Sequence, residues 1–154
     1  MAIKSRLPLW AWITISIAVV VVCDVLNFSD MMWGGGSLSS FIVSLVYIII
    51  WAALVFINRC DRKFLLFFSI FSSICIVAGL LGLGLSSDII SNEVLRFIGV
   101  VGVLFTTPLY GFRFVIYNNS FPLLYTAIIL MFVIGAVFGF IMAKKAKQKQ
   151  AIPA

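Results

Sequence analysis

The sequence predicts an all-α integral membrane protein with four transmembrane helices and one further helical segment that is re-entrant or lies at the interface. The 154 residues are 64% hydrophobic and only 10% charged, with a mean hydropathy of +1.23. Soluble domains are roughly 45–50% apolar and about 25% charged, so this chain has too few polar side chains to cover a surface in water. Its apolar runs are continuous rather than alternating, which excludes a β-barrel.

The length bounds the number of crossings. A hydrocarbon layer of about 30 Å needs about 20 helical residues per crossing, so four or five crossings fit. We expect residues 1–143 to form a single polytopic helical domain. Residues 144–154 contain four lysines and no acid, and we expect them to form a basic cytoplasmic tail.

The first apolar run predicts a span at about residues 8–26. It follows Lys4 and Arg6 as a signal peptide would. It is, however, longer than the usual apolar region of about 7–15 residues and lacks a small-residue cleavage site, so we expect it to stay uncleaved. Asp24 lies near its end, where it either sits among the lipid headgroups or pairs with Arg96 or Arg113.

Residues 27–40 contain an acid and three consecutive glycines, and this composition predicts an exposed turn. Ser37, Ser39 or Ser40 can cap the helix that follows. That second span is predicted at about residues 38–57 and carries no charge.

A basic loop at residues 58–63 leads to a third span at about residues 64–85. The fourth span is predicted at about residues 121–142. It contains Gly135 and Gly139 at GxxxG spacing, continued by Ala143. Small residues at this spacing let two helices approach closely, either within the bundle or at a dimer seam.

The segment at residues 94–117 decides the topology. Its polar and small side chains recur at spacings of three and four, so they share one helical face, and Pro108 interrupts the helical hydrogen bonds. Thr106 and Thr107 offer hydroxyl groups that can compensate. This face comprises Arg96, Gly99, Val103, Thr106, Tyr110, Arg113 and Tyr117.

Charge counting favours a segment that does not cross. If it does not cross, nine lysines and arginines lie on the inner side and two on the outer side; if it crosses, the split is six against five. Because positive residues concentrate on the cytoplasmic side, we expect four spans with both termini in the cytoplasm. Five transmembrane helices remain the alternative.

The residue inventory gives no catalytic, cofactor-binding or metal-binding site. The chain has no histidine, and its three cysteines lack CxxC spacing, so the usual general base and metal ligands are missing. The positive charges flank apolar runs, which indicates membrane topology rather than nucleic-acid binding. We therefore expect a protein that is not an enzyme and needs no cofactor.

We expect an accessory, assembly or immunity-like subunit in a bacterial plasma membrane. It would contact the lipid bilayer and a membrane-protein partner or a second copy of itself. The expected contact surface is an outward-facing polar cluster formed by Asp24, Arg96, Thr106, Tyr110 and Arg113. A small oligomeric transporter or channel is the alternative function.

Overall fold

The computed structural model describes residues 7–33, 35–86, 92–116 and 121–150. All regular structure in these ranges is helical. The elements are α1 (Leu9–Trp33), α2 (Leu38–Ile57), α3 (Arg62–Ser86), α4 (Glu93–Leu104), a 3₁₀ helix (Thr107–Phe114) and α5 (Phe121–Gln150).

Four of these helices are long and apolar enough to cross a membrane: α1, α2, α3 and α5. The prediction of a multi-pass membrane protein with four spans and a bent segment is therefore confirmed. We call the two ends of the bundle the Trp33 end and the Arg59 end, after residues that lie there. Ser69, in the first half of α3, donates a hydrogen bond to the Ala136 carbonyl of α5, whereas Gly82, later in α3, lies against Tyr125 near the start of α5. Helices α3 and α5 are therefore antiparallel.

Helix α1 is longer than the predicted span of residues 8–26. It continues to Trp33, so the turn expected from Asn27 onwards begins only after it. Asn27 does not break the helix, since its side chain is fully buried and bonded inside the bundle. The N–H of Gly35 donates to the Asp30 carbonyl at 3.0 Å and so satisfies one of the carbonyls left free at the helix end.

Helix α5 also extends further than expected, through the basic tail to Gln150. Ala143 and Ala146 are buried in a cluster with Trp12 and Phe64 at the Arg59 end. Alanine, lysine and glutamine favour the helix intrinsically, and the two buried alanines hold it against the bundle. The tail is therefore helical up to Gln150 and packs against the membrane domain.

The segment predicted at residues 94–117 is a bent pair, in which α4 and the 3₁₀ helix meet at 78°. Helix α4 descends beside α3, with Gly99 against Leu85 and the Phe105 carbonyl near the Cys75 thiol. The 3₁₀ helix then returns, and the backbone at Arg113 and Phe114 reaches Gly36. The start of α4 and the end of the 3₁₀ helix therefore both lie at the Trp33 end.

The break lies at Phe105 and Thr106, just before Pro108. The Thr106 and Thr107 hydroxyls donate to the Val103 carbonyl at 2.7 and 3.2 Å. The expected compensation by threonine hydroxyls is thus present. Pro108 lies in the first turn of the 3₁₀ helix, where its missing N–H removes no internal hydrogen bond.

Gly111 gives the sharpest packing test of this arrangement. A Cβ atom there would collide with the Ser40 carbonyl of α2, whereas a Cβ atom on Gly35 would meet nothing within 4 Å. Because the obstacle is backbone, Gly111→Ala should destabilise the protein by about 1–3 kcal/mol or more, seen as a lower thermal midpoint in detergent. Gly35→Ala is the control and should leave the midpoint unchanged; equal midpoints for the two variants would contradict the close approach.

Candidate functional site

Asn27 is the centre of a buried polar network beneath the re-entrant segment. Its amide nitrogen donates to the Ser44 hydroxyl at 3.2 Å and to the carbonyls of Thr107 and Pro108 at 3.2 and 3.0 Å. These carbonyls lie at the start of the 3₁₀ helix, next to the break. Within a membrane an unpaired carbonyl costs several kcal/mol. By donating to these two carbonyls, Asn27 lowers the free-energy cost of breaking the helix at this position.

Ser44 completes the network from α2. Its hydroxyl donates to the Pro108 carbonyl at 2.7 Å and accepts from the Gly111 N–H at 3.1 Å. One small side chain therefore binds the 3₁₀ helix at both a carbonyl and an amide. A larger residue would not fit, because Ser44 is fully buried.

A second polar cluster fixes the turn between α1 and α2. The Asp30 Oδ2 atom accepts from the Ser37 N–H at 2.7 Å and from the Ser40 hydroxyl at 2.6 Å. Ser37 caps α2 by accepting from the Ser40 N–H, which confirms the expected serine cap. The carboxylate lies at a helix N-terminus, where negative charge is favoured.

The predicted polar cluster is only partly assembled. Thr106 and Tyr110 are buried, and Arg113 is half-buried and donates to the Tyr110 hydroxyl at 2.9 Å. The Arg113 guanidinium also lies 3.8 Å from the ring centroid of Phe121. The Arg96 side chain lies outside the described part of the structure.

The expectation that this polar face points outward is wrong for Thr106 and Tyr110. Their face packs against the bundle, and the opposite face exposes apolar side chains such as Phe97 and Val100. The reason is the break itself: a non-helical backbone at this depth must be satisfied within the protein, so its polar face turns inward.

The position of Asp24 is now fixed relative to the end of its helix. It is nine residues before Trp33 at the end of α1, or about 14 Å along the helix axis. Its Oδ1 atom is buried and has no hydrogen-bond partner, and its pairing with Arg96 or Arg113 stays a prediction. Cys23, Tyr47 and Cys75 lie within electrostatic range of Asp24.

Gly135 and Gly139 face α3 within the same chain. A Cβ atom at Gly135 would lie 3.3 Å from Phe68 and Ser72, and one at Gly139 would lie 3.0 Å from Phe68. Ala143, one turn further along, is buried. The three small residues therefore let α5 lie close to α3.

No known protein family, curated protein or solved structure matches this chain. Within the described ranges, no group of three His, Cys, Asp or Glu side chains lies close enough together to hold a metal ion. The function therefore has to be argued from the two polar networks, the position of Asp24 and the exposed surfaces.

The Asn27 network predicts a specific loss of stability. Asn27→Ala removes the side-chain donor to the Thr107 and Pro108 carbonyls, so we expect about 1–3 kcal/mol of destabilisation and a lower thermal midpoint in detergent. Ser29→Ala, an exposed change on the same helix, should shift the midpoint little. If Asn27→Ala unfolds at the wild-type midpoint, Asn27 does not hold the segment.

Proposed function

We propose that this protein is a small non-enzymatic subunit of a membrane assembly, with an accessory, assembly or immunity-like role. The observation that carries the proposal is the braced surface at the Trp33 end. There the Asp30 and Asn27 networks fix the α1–α2 turn and the 3₁₀ helix in place. Around them lie exposed large side chains: Met32, Trp33, Leu38, Phe114 and Val115.

Such a surface is suited to binding another protein. Trp33 is 87% exposed, and tryptophan and methionine are among the residues enriched at protein interfaces. A rigid surface also loses less conformational freedom on binding than a mobile one. These features support partner binding at the Trp33 end rather than through the buried polar face.

The distribution of charge supports an orientation for this surface. The Arg59 end carries the basic loop at residues 58–63 and the lysine-rich end of α5, so positive-inside sorting favours a cytoplasmic Arg59 end. The Trp33 end would then face outward from a bacterial plasma membrane. A partner of the proposed kind would approach from that side or within the outer leaflet.

An aromatic residue at a bilayer interface also serves as a lipid anchor, and Trp10 offers the matched comparison. It lies on the same helix near the Arg59 end and is 70% exposed. A crosslinker placed at a lipid anchor would capture lipid, whereas a crosslinker placed at a protein contact would capture the partner protein.

A photo-crosslinking amino acid placed at position 33 should give one discrete adduct with another protein in native membranes, identified by mass spectrometry. The same residue at position 10 should give lipid adducts only, because no braced surface surrounds it. The absence of a protein adduct at position 33 contradicts the proposal. An adduct containing only this chain would instead favour a homo-oligomer.

Asp24 favours a second candidate, a small oligomeric transporter. A carboxyl group deep in a transmembrane helix is costly and usually functional, and the Oδ1 atoms of Asp24 and Asn27 are both buried without a donor. Broken helices beside such groups are typical of transporters. Binding of a proton would satisfy the Asp24 oxygen atom.

The transporter candidate makes a separate prediction for proteoliposomes that carry a pH gradient. Wild-type protein should dissipate the gradient, and Asp24→Asn should slow this at least tenfold, because the amide cannot bind and release a proton. The control is Asp61→Asn, since Asp61 caps α3 and asparagine caps a helix as well as aspartate does. A wild-type rate equal to that of empty liposomes excludes this candidate for protons.

A further inference from the structure

The Arg59 end of the bundle presents a strongly positive surface. Residues 58–63 and 143–147 each contain three basic residues, and the single acid among them is Asp61. Its carboxylate accepts the N–H groups of Lys63 and Phe64, so its negative charge serves the start of α3. The basic side chains are all exposed: Arg59, Arg62, Lys63, Lys144, Lys145 and Lys147.

The lysines of α5 are held close to the boundary of the hydrocarbon layer. Residues 121–143 of this helix carry no charge and extend about 34 Å at the helical rise, against a hydrocarbon thickness of about 30 Å. Ala143 and Ala146 are buried in the cluster that contains Trp12 and Phe64, so the helix continues beyond this boundary as a packed element. The exposed lysines beside these alanines therefore lie at the level of the lipid headgroups.

Arg59 lies at the same boundary on the side of α2. Its guanidinium carbon is 4.7 Å from the centroid of the Phe56 ring, and Phe56 is 65% exposed on the lipid-facing surface. A long cationic side chain in this position lies along apolar surface and holds its charge at the headgroup level. A guanidinium group can also form two parallel hydrogen bonds with a phosphate group.

Lys145 lies on the side of α5 that faces Arg59. Arg59, Phe138 and Met142 line the same groove between α2, α3 and α5. Lys145 follows Met142 by three residues and Phe138 by seven, so it shares their helical face. Lys144 follows Met142 by two residues and therefore lies about 160° round the helix from it. The Arg59 end of the groove is thus flanked by one cation from each side, Arg59 and Lys145.

We propose that Arg59 and Lys145 together bind the phosphate group of an anionic phospholipid. The acyl chains of this lipid lie on exposed apolar side chains such as Phe56 and Phe138, as those of any neighbouring lipid would. Recognition rests on the charge of the headgroup. The site lies at the opposite end of the bundle from Trp33, so it is independent of the partner proposed for that surface.

The net charge of the lipid should decide whether it binds. In a zwitterionic lipid the phosphate charge is balanced by an ammonium group of the same headgroup. Each lysine or arginine near an anionic membrane surface strengthens the attraction roughly fivefold, and the other exposed basic residues add a longer-range contribution that salt screens. An acidic protein segment fits less well, because Arg59 lies over a ring that faces lipid.

The test measures lipid binding by the purified full-length protein in detergent, using native mass spectrometry. Phosphatidylglycerol and phosphatidylcholine with the same acyl chains are compared, and the wild type should bind the first phosphatidylglycerol molecule at least fivefold more tightly. Lys145→Gln should weaken this binding about fivefold. Lys144→Gln is the matched control, since it makes the same charge change on the neighbouring residue, and Lys145→Arg keeps the charge; both should bind like the wild type.

A second pair of variants tests the cation from the other side of the groove. Arg59→Gln should weaken phosphatidylglycerol binding about fivefold, whereas Arg62→Gln should not, because Arg62 is exposed at the start of α3 and does not line the groove. A ligand that binds the folded state stabilises it. In nanodiscs, phosphatidylglycerol should therefore raise the thermal midpoint of the wild type but not that of the Arg59→Gln, Lys145→Gln double variant.

Three results would overturn the proposal. The first is equal binding of the two lipids by the wild type. The second is equal weakening by Lys144→Gln and Lys145→Gln, which would indicate only the total positive charge of this end. The third is a co-purifying protein that excludes phosphatidylglycerol and is lost in Lys145→Gln, which would assign the two cations to a protein partner.

Discussion

Backbone hydrogen bonding inside the bilayer is the constraint on which this structure depends. The re-entrant segment breaks its helix at Thr106, at a depth where water cannot satisfy the freed carbonyls. The Thr106 and Thr107 hydroxyls donate to the Val103 carbonyl within the segment. Asn27 of α1 donates to the Thr107 and Pro108 carbonyls, and Ser44 of α2 donates to the Pro108 carbonyl. The break is stable only because two neighbouring helices supply donors at the same level.

This constraint also determines which surfaces remain for function. Since the polar face of the segment is used internally, the apolar face of α4 is left against lipid, and the free surface lies at the Trp33 end. Tyr110 is buried and holds Arg113, which in turn lies over Phe121 at the start of α5. Tyr110 and Arg113, which were predicted to form part of a binding surface, therefore hold the segment against α5.

The sequence allowed much of the fold to be predicted, because long apolar runs have few structural solutions in lipid. The second span matched its predicted bounds, and the threonine hydroxyls near Pro108 were assigned their role from local pattern alone. The end of α1 was missed because Asn27 usually indicates a turn, and its partners Thr107 and Pro108 lie 80 and 81 residues away. Local composition carries no information about such pairings.

The candidate sites were less accessible to sequence reasoning for the same reason. The Asn27 network joins α1, α2 and the 3₁₀ helix, and it forms only when these three elements pack together. Asp24 was noticed as an acid, but its distance from the end of its helix depended on where α1 ends. In each case the missing information was a helix boundary or a contact between distant helices.

The most direct measurement is the sidedness of the two ends of the re-entrant segment. Single cysteines replacing Glu93 and Val115, both exposed, are labelled with a membrane-impermeant maleimide in right-side-out and inverted vesicles. The natural Cys60, exposed at the Arg59 end, marks the opposite side. Our account predicts that positions 93 and 115 react from one side and Cys60 from the other; labelling of 93 and 115 from opposite sides would contradict it and establish a fifth crossing.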